Sequence, residues 1–131
     1  MHATVPSEKA ERPRTILVVE DEILVRLMIA DEFRTVGFVV LEAVNADEAL
    51  VVLHGPEPVD LLLTDVRMPG TADGLTLAAA ARASWPELKI ILVSAHLPNG
   101  PAAGVADAYF AKPYDVSALI DRVKKLLGIA P

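Results

Sequence analysis

The sequence predicts an α/β domain: a doubly wound, five-stranded parallel sheet with helices on both faces. Three observations point there. Short apolar runs alternate along the chain with helical patterns, the order expected of βα units. Several runs are apolar at every position, as strands covered on both sides must be. The segments between them are long enough to cross over, and right-handed crossovers leave few topologies.

Each element has its own warrant. Residues 1–13 are polar, with Pro6 and Pro13, and read as a flexible tail; the domain proper is expected over 14–128, with 129–131 as a C-terminal end. Thr15 to Val19 is a β-branched first strand that stops at three acids. Ile23 to Val36 reads as a helix with Leu27, Ala30 and Phe33 on one face and Met28 beside them. Phe38 to Leu41 forms a second strand after Gly37. Asn45 with Glu48 three residues on has capping-box spacing and opens a helix to Leu53. Val59 to Thr64 is the third strand, following Gly55-Pro56-Glu57-Pro58. Asp73 to Ser84 is alanine-rich and helical. Leu88 to Val93 is the fourth strand, and Ala108 to Ala111 the fifth and shortest. Asp115 caps a last helix whose stripe is Val116, Leu119, Ile120, Val123 and Leu127, stopping at Gly128. Between Ser94 and Asp107, two prolines and two glycines (Pro98, Gly100, Pro101, Gly104) argue for a short turn of helix or a loop.

Composition narrows the function. The 131 residues suit one domain, 53% hydrophobic and 23% charged, which is globular rather than disordered. The absence of cysteine excludes a disulfide framework, a thiolate metal site and cysteine catalysis. Acids outnumber bases 18 to 12, the reverse of a duplex-DNA binder. No apolar run is long enough to span a bilayer, and residues 1–13 lack the apolar core of a secretory signal. A cytoplasmic protein is expected, with neither nucleic acid nor membrane as direct partner.

Open α/β sheets place their sites beyond the carboxyl ends of the strands. There the first strand ends in Glu20, Asp21 and Glu22, the third in Asp65, the fourth in Ser94 and the fifth in Lys112-Pro113. With strand order 2-1-3-4-5, Asp21 and Asp65 converge. Clustered carboxylates raise one another's pKa unless a cation joins them, and a small set of oxygen ligands suits Mg²⁺ with a phosphate partner. A carboxylate can also be the nucleophile that forms an aspartyl-phosphate. Asp65 would attack, Asp21 would hold the metal, and Lys112 and Ser94 would meet the phosphoryl oxygens. Glu22 reads as a first-turn acid favoured by the helix dipole. His2, His54 and His96 show no zinc-ligand spacing, and Trp85 reads as a packing residue.

The motifs Ile16-Leu17-Val18-Val19-Glu20-Asp21-Glu22, Leu63-Thr64-Asp65-Val66-Arg67-Met68-Pro69-Gly70, Asp73-Gly74, Ile91-Leu92-Val93-Ser94-Ala95 and Ala108-Tyr109-Phe110-Ala111-Lys112-Pro113 stand in that order. Together they make residues 14 to about 128 resemble the receiver domain of two-component response regulators, of the chemotaxis-regulator type. The resemblance implies a flavodoxin-like fold. It implies Asp65 as phosphoacceptor, Asp21 and Asp65 as Mg²⁺ ligands, Glu20 as a ligand through water, and the backbone carbonyl of Arg67 as a further ligand. Ser94 resembles the switch hydroxyl, Tyr109 the aromatic switch residue and Lys112 the family's lysine, with the Lys112–Pro113 bond cis. The side chains of Arg67 and His96 are expected to border the phosphate and tune its lifetime. The donor would be a histidine kinase or a histidine phosphotransfer protein, and an unknown downstream protein would read the switch.

Two departures from the family pattern stand out. The Ser94–Lys112 segment is shorter than usual by about one helical turn, and Gly70-Thr71-Ala72-Asp73-Gly74 carries one residue more. No helix-turn-helix or basic stripe follows the last helix, so a stand-alone receiver is expected, a receiver cut from a longer protein being the other reading. A phosphohydrolase with an aspartyl nucleophile would carry a second acid where Arg67 stands. A flavin-binding relative would need a Gly/Ser/Thr-rich loop in place of Glu20-Asp21-Glu22. The expectation is a protein that catalyses only its own phosphorylation and dephosphorylation. A receiver-like constitutive interaction module, or a phosphate sink without phosphorylation-dependent output, is the alternative.

Overall fold

The computed structural model describes residues 12–67, 73–95 and 104–129. Its strands are β1 (Thr15–Val19), β2 (Val39–Ala43), β3 (Leu61–Asp65), β4 (Lys89–Ser94) and β5 (Ala108–Ala111). The helices among the described residues are α1 (Ile23–Thr35), α2 (Ala46–His54), α3 (Gly74–Ser84) and α4 (Val116–Leu126). All strand pairs are parallel, in the order β2-β1-β3-β4-β5. The short turn of helix or loop expected between Ser94 and Asp107 falls largely on residues 96–103, and the tail expected over 1–13 largely on residues 1–11; both stretches lie outside the described residues.

Strand alternation divides the core in two. Ile16, Val18, Leu61, Leu63, Ile91 and Val93 point to a layer with Phe33 of α1 and Leu119 and Val123 of α4. Leu17, Val19, Leu62, Ile90 and Leu92 point to the opposite layer with Ala49 of α2 and Leu77, Ala78 and Ala81 of α3. This explains why β1 is buried at all five positions: each face of it belongs to a core.

Several boundaries move by one or two residues from the sequence expectation. Phe38 stands outside β2 because its N–H closes α1, donating to Phe33 O at 3.1 Å, while Gly37 N donates to Arg34 O at 3.0 Å. That paired closure is a Schellman stop, with Gly37 at φ 104° in the left-handed region. Gly128 (φ 70°) ends α4 the same way, with Gly128 N to Lys125 O and Ile129 N to Lys124 O. Val59 and Asp60 precede β3 because the Asp60 carboxylate turns to accept from Thr15 N at 2.8 Å. Asn45 caps α2 as expected, accepting from Glu48 N at 2.8 Å, and the Glu48 carboxylate accepts from Val44 N at 3.1 Å.

One expectation is corrected. Leu27 and Met28 do not face the core; both are exposed, and the buried stripe of α1 is Ile29, Ala30 and Phe33. The reason is Arg26. It occupies the inward position one turn before Ile29 and Ala30 with its side chain only 11% exposed, which turns Leu27 and Met28 outward. They join Ile23 and Leu24 in an exposed apolar strip.

At the far side of the sheet, Arg82 of α3 gathers four acceptors. Its guanidinium reaches Pro86 O, Leu88 O, Val105 O and the Asp107 carboxylate at 2.6–3.2 Å. Asp107 also accepts from Ile90 N at 2.8 Å. The turn into β4 and the approach to β5 are thereby held by one side chain. Trp85, next to α3, stands edge-on to His54 at 4.9 Å between ring centres, the packing role expected of it.

Candidate functional site

The carboxyl ends of β1, β3, β4 and β5 meet at one edge of the sheet, and the polar residues of the sequence motifs meet with them. β1 runs into the turn Glu20-Asp21-Glu22, in which Glu22 occupies the N-cap of α1 without a side-chain capping bond. Glu20 is buried, and its carboxylate accepts from Glu22 N at 3.1 Å. Asp21 is exposed and Asp65 is half-buried. Carboxylate oxygens of Glu20, Asp21 and Asp65 all lie within 4.8 Å of one another. Three hard oxygen donors at this spacing, partly open to water, fit a small divalent cation that keeps part of its hydration.

Lys112 enters from the end of β5. Its backbone N–H donates to Ser94 O at 2.8 Å, which ties its position to the end of β4. Its ammonium lies 2.7 Å from Asp65 Oδ2 and 3.5 Å from Glu20 Oε1. Asp65 Oδ1 accepts from the backbone of Arg67 at 3.3 Å. The Lys112–Pro113 peptide is cis.

The charges explain the titration. Burial pushes the Glu20 carboxyl up, and neighbouring Asp65 and Asp21 push the same way; the Glu22 N–H and Lys112 act against them without prevailing. Burial alone would lower the Lys112 ammonium. The bond to Asp65 and the charges of Asp65 and Glu20 outweigh it, and Lys112 stands above the usual lysine value.

α3 reaches the site through Gly74. Its N–H donates to Val66 O at 2.8 Å. A Cβ there would run into the backbone of Asp65 and Val66, so only glycine lets the helix start this close to the strand end. Asp73 caps the helix, accepting from Thr76 N at 2.9 Å.

Ser94 is buried at the end of β4, one residue beyond Val93, which pairs with Asp65. Tyr109 is half-buried against the layer of α2 and α3, and burial raises its phenol. Arg67 is exposed beside Asp65, and His96 lies outside the described residues. The structure thus brings Glu20, Asp21, Asp65 and Lys112 together, with Ser94 on the neighbouring strand end. Sequence reading missed Arg26, which donates from Nη1 to Glu20 O at 2.9 Å and from Nε to Glu42 Oε1 at 3.1 Å. The available signal was a charged residue in line with Ile29, Ala30 and Phe33 on the inward stripe.

The comparisons with known proteins agree with this geometry. The family model described as response regulator receiver domain matches residues 16–124, and the chain belongs to that family. Sporulation initiation phosphotransferase F of Bacillus subtilis is 29% identical over 119 residues, 87% of this chain and 94% of the relative. Sensor kinase CckA of Brucella abortus is 37% identical over 119 residues, 86% of this chain but 12% of the kinase. Response regulator TrrA from Thermotoga maritima, solved in complex with Mg²⁺-BeF, is 34% identical with a TM-score of 0.79, covering 86% of this chain and 98% of that one. The chain is a receiver domain of two-component signal transduction, a phosphoacceptor module whose family partners are histidine kinases and phosphotransfer proteins. No helix among the described residues is long and apolar enough to cross a membrane.

Proposed function

We propose that Asp65 accepts a phosphoryl group from a phosphohistidine donor and that the phosphorylated domain exchanges protein contacts. The observation that carries this reading is the 2.7 Å bond from Lys112 to Asp65 in the middle of three converging carboxylates. An Asp65 carboxylate oxygen attacks phosphorus, the P–N bond breaks, and the imidazole nitrogen keeps the electron pair and takes up a proton. The Lys112 ammonium offsets charge on the transferred group. Asp21, Asp65 and the Arg67 carbonyl would hold Mg²⁺ directly, with Glu20 acting through water. When bound, the metal supplies positive charge to the phosphoryl oxygens. Ser94 donates its hydroxyl to one of those oxygens, Tyr109 follows it inward, and the side chains of Arg67 and His96 set how readily water reaches the acyl phosphate. Hydrolysis by the domain itself returns it to rest.

The donor's approach is supported by the strip Ile23, Leu24, Leu27 and Met28. It is exposed, reaching 79% at Leu24, and begins two residues beyond Asp21. An apolar helical surface of the donor set there would bring its phosphohistidine over Asp65. The intact triad and lysine weigh against a constitutive module. A cytoplasmic protein that acts on an unidentified downstream protein, without touching nucleic acid itself, completes the reading.

The test is labelling with acetyl phosphate and Mg²⁺, read by intact mass. The wild type gains one phosphoryl group and Asp65→Asn gains none. Labelling that survives in Asp65→Asn would move the acceptor elsewhere.

A further inference from the structure

We propose that Arg26, anchored by Glu42, is a positioning residue for the metal-binding turn. This rests on the reading of Glu20, Asp21 and Asp65 as a cation site. An arginine this close to three acids would ordinarily pair with them and compete with a metal ion. Here the fork is engaged elsewhere. Nε bonds Glu42 Oε1 on β2 at 3.1 Å, and Nη1 bonds the backbone carbonyl of Glu20 at 2.9 Å. Glu42 is itself held, accepting at Oε2 from Arg34 Nη2 at 3.1 Å.

The consequence falls on Glu20. Its N–H donates to Ala43 O at 3.1 Å, its carbonyl is gripped by Arg26, and its carboxylate is set by Glu22 N. Both ends of the residue are thus tied to β2, directly through Ala43 and indirectly through Arg26 and Glu42. The peptide leaving that carbonyl is the one that carries Asp21. The direction in which the Asp21 carboxylate leaves the sheet is therefore set before any ion arrives. The guanidinium bonds Glu42 and the Glu20 carbonyl rather than the carboxylates of the site, so those carboxylates remain available to a cation.

Positioning and simple electrostatics predict opposite signs. Removing a positive charge near an acidic cluster should tighten Mg²⁺ binding; loosening the turn should weaken it. The experiment is calorimetric Mg²⁺ titration of Arg26→Met, Arg26→Lys and Glu42→Gln beside the wild type, with melting temperatures in EDTA. Arg26→Lys keeps the charge but cannot bridge two acceptors as a planar fork does. Its Mg²⁺ Kd is expected to rise on the order of ten-fold, with Arg26→Met at least as weak and Glu42→Gln changed in the same direction. Wild-type affinity in Arg26→Lys, or tighter binding in Arg26→Met, overturns the proposal even if the melting temperature falls. If Arg26→Met does not fold, Arg26→Lys decides. A wild type that binds no Mg²⁺ would instead defeat the metal-site reading itself, and this proposal with it.

Discussion

Glu20 shows what the site costs the fold. Its carboxyl is raised chiefly by burial, so the folded state holds its proton to higher pH than the unfolded chain does. Between the ordinary carboxylate value and the raised one, the folded state binds more protons, and stability falls as pH rises. The loss persists at neutral pH. In metal-free protein, Glu20→Gln should therefore melt higher than the wild type at pH 7 and lose the decline with rising pH. The same variant should gain less from added Mg²⁺, because a group that supported the ion is gone. Melting curves from pH 4 to 8, with EDTA or Mg²⁺, read both effects; a Glu20→Gln protein less stable at pH 7 in EDTA would show that the ionised carboxylate is well solvated by its partners. Lys112 contributes in the opposite sense. Its raised pKa adds stability that is present throughout the neutral range and is lost only as pH climbs through its folded value.

At the scale of elements, the closest approach in the site is between the start of α3 and the end of β3. Gly74→Ala should destabilise by about 1–3 kcal/mol, because the new methyl meets the backbone of Asp65 and Val66, which must shift to make room. It should also slow labelling of Asp65, since relieving the clash displaces the strand end. Gly104, where an added Cβ meets nothing within 4 Å, is the control: Gly104→Ala should leave both stability and labelling near wild type. Equal effects at the two positions in denaturant melts would refute the packing argument.

The strands were legible because their local pattern and their burial agree. β1 is apolar throughout and buried throughout. The caps at Asn45 and Asp115 were legible for the same reason: a cap is decided by residues within three positions of it. The face of α1 was not. Leu27 and Met28 satisfy helical spacing as well as Ile29 does, and the choice falls to Arg26, whose partners Glu42 and the Glu20 carbonyl lie 16 and 6 residues away. The polar cluster was legible although Asp65 and Lys112 stand 47 positions apart, because each member ends a recognisable strand. The Arg82–Asp107 pair joins a helix to a connection with no regular pattern, and nothing local announces it.

For the whole molecule, the two layers of core cover the sheet on both faces, and the connection between β4 and β5 is tied at its far end by Arg82. Arg82→Met should release that end while leaving the central strands alone. Exchange of the Ile90 and Asp107 amides, both bonded within this clasp, should quicken on the order of ten-fold. Amides of β1 and β3 should keep their protection. Uniform loss of protection across the sheet would mean that the clasp supports global stability rather than one connection.

The distribution of the site along the chain also bears on how the protein is made. Glu20 and Asp65 leave the ribosome long before Lys112, which lies 92 residues after Glu20. Until β5 docks, the acids at the ends of β1 and β3 face one another without their lysine. A chain synthesised only as far as β4 therefore holds Asp65 without its charge partner and leaves β4 as the edge of the sheet. Because Lys112 follows β5 directly, with its N–H on Ser94 O and its Nζ on Asp65, Asp65 gains its charge partner only as the last strand takes its place in the sheet.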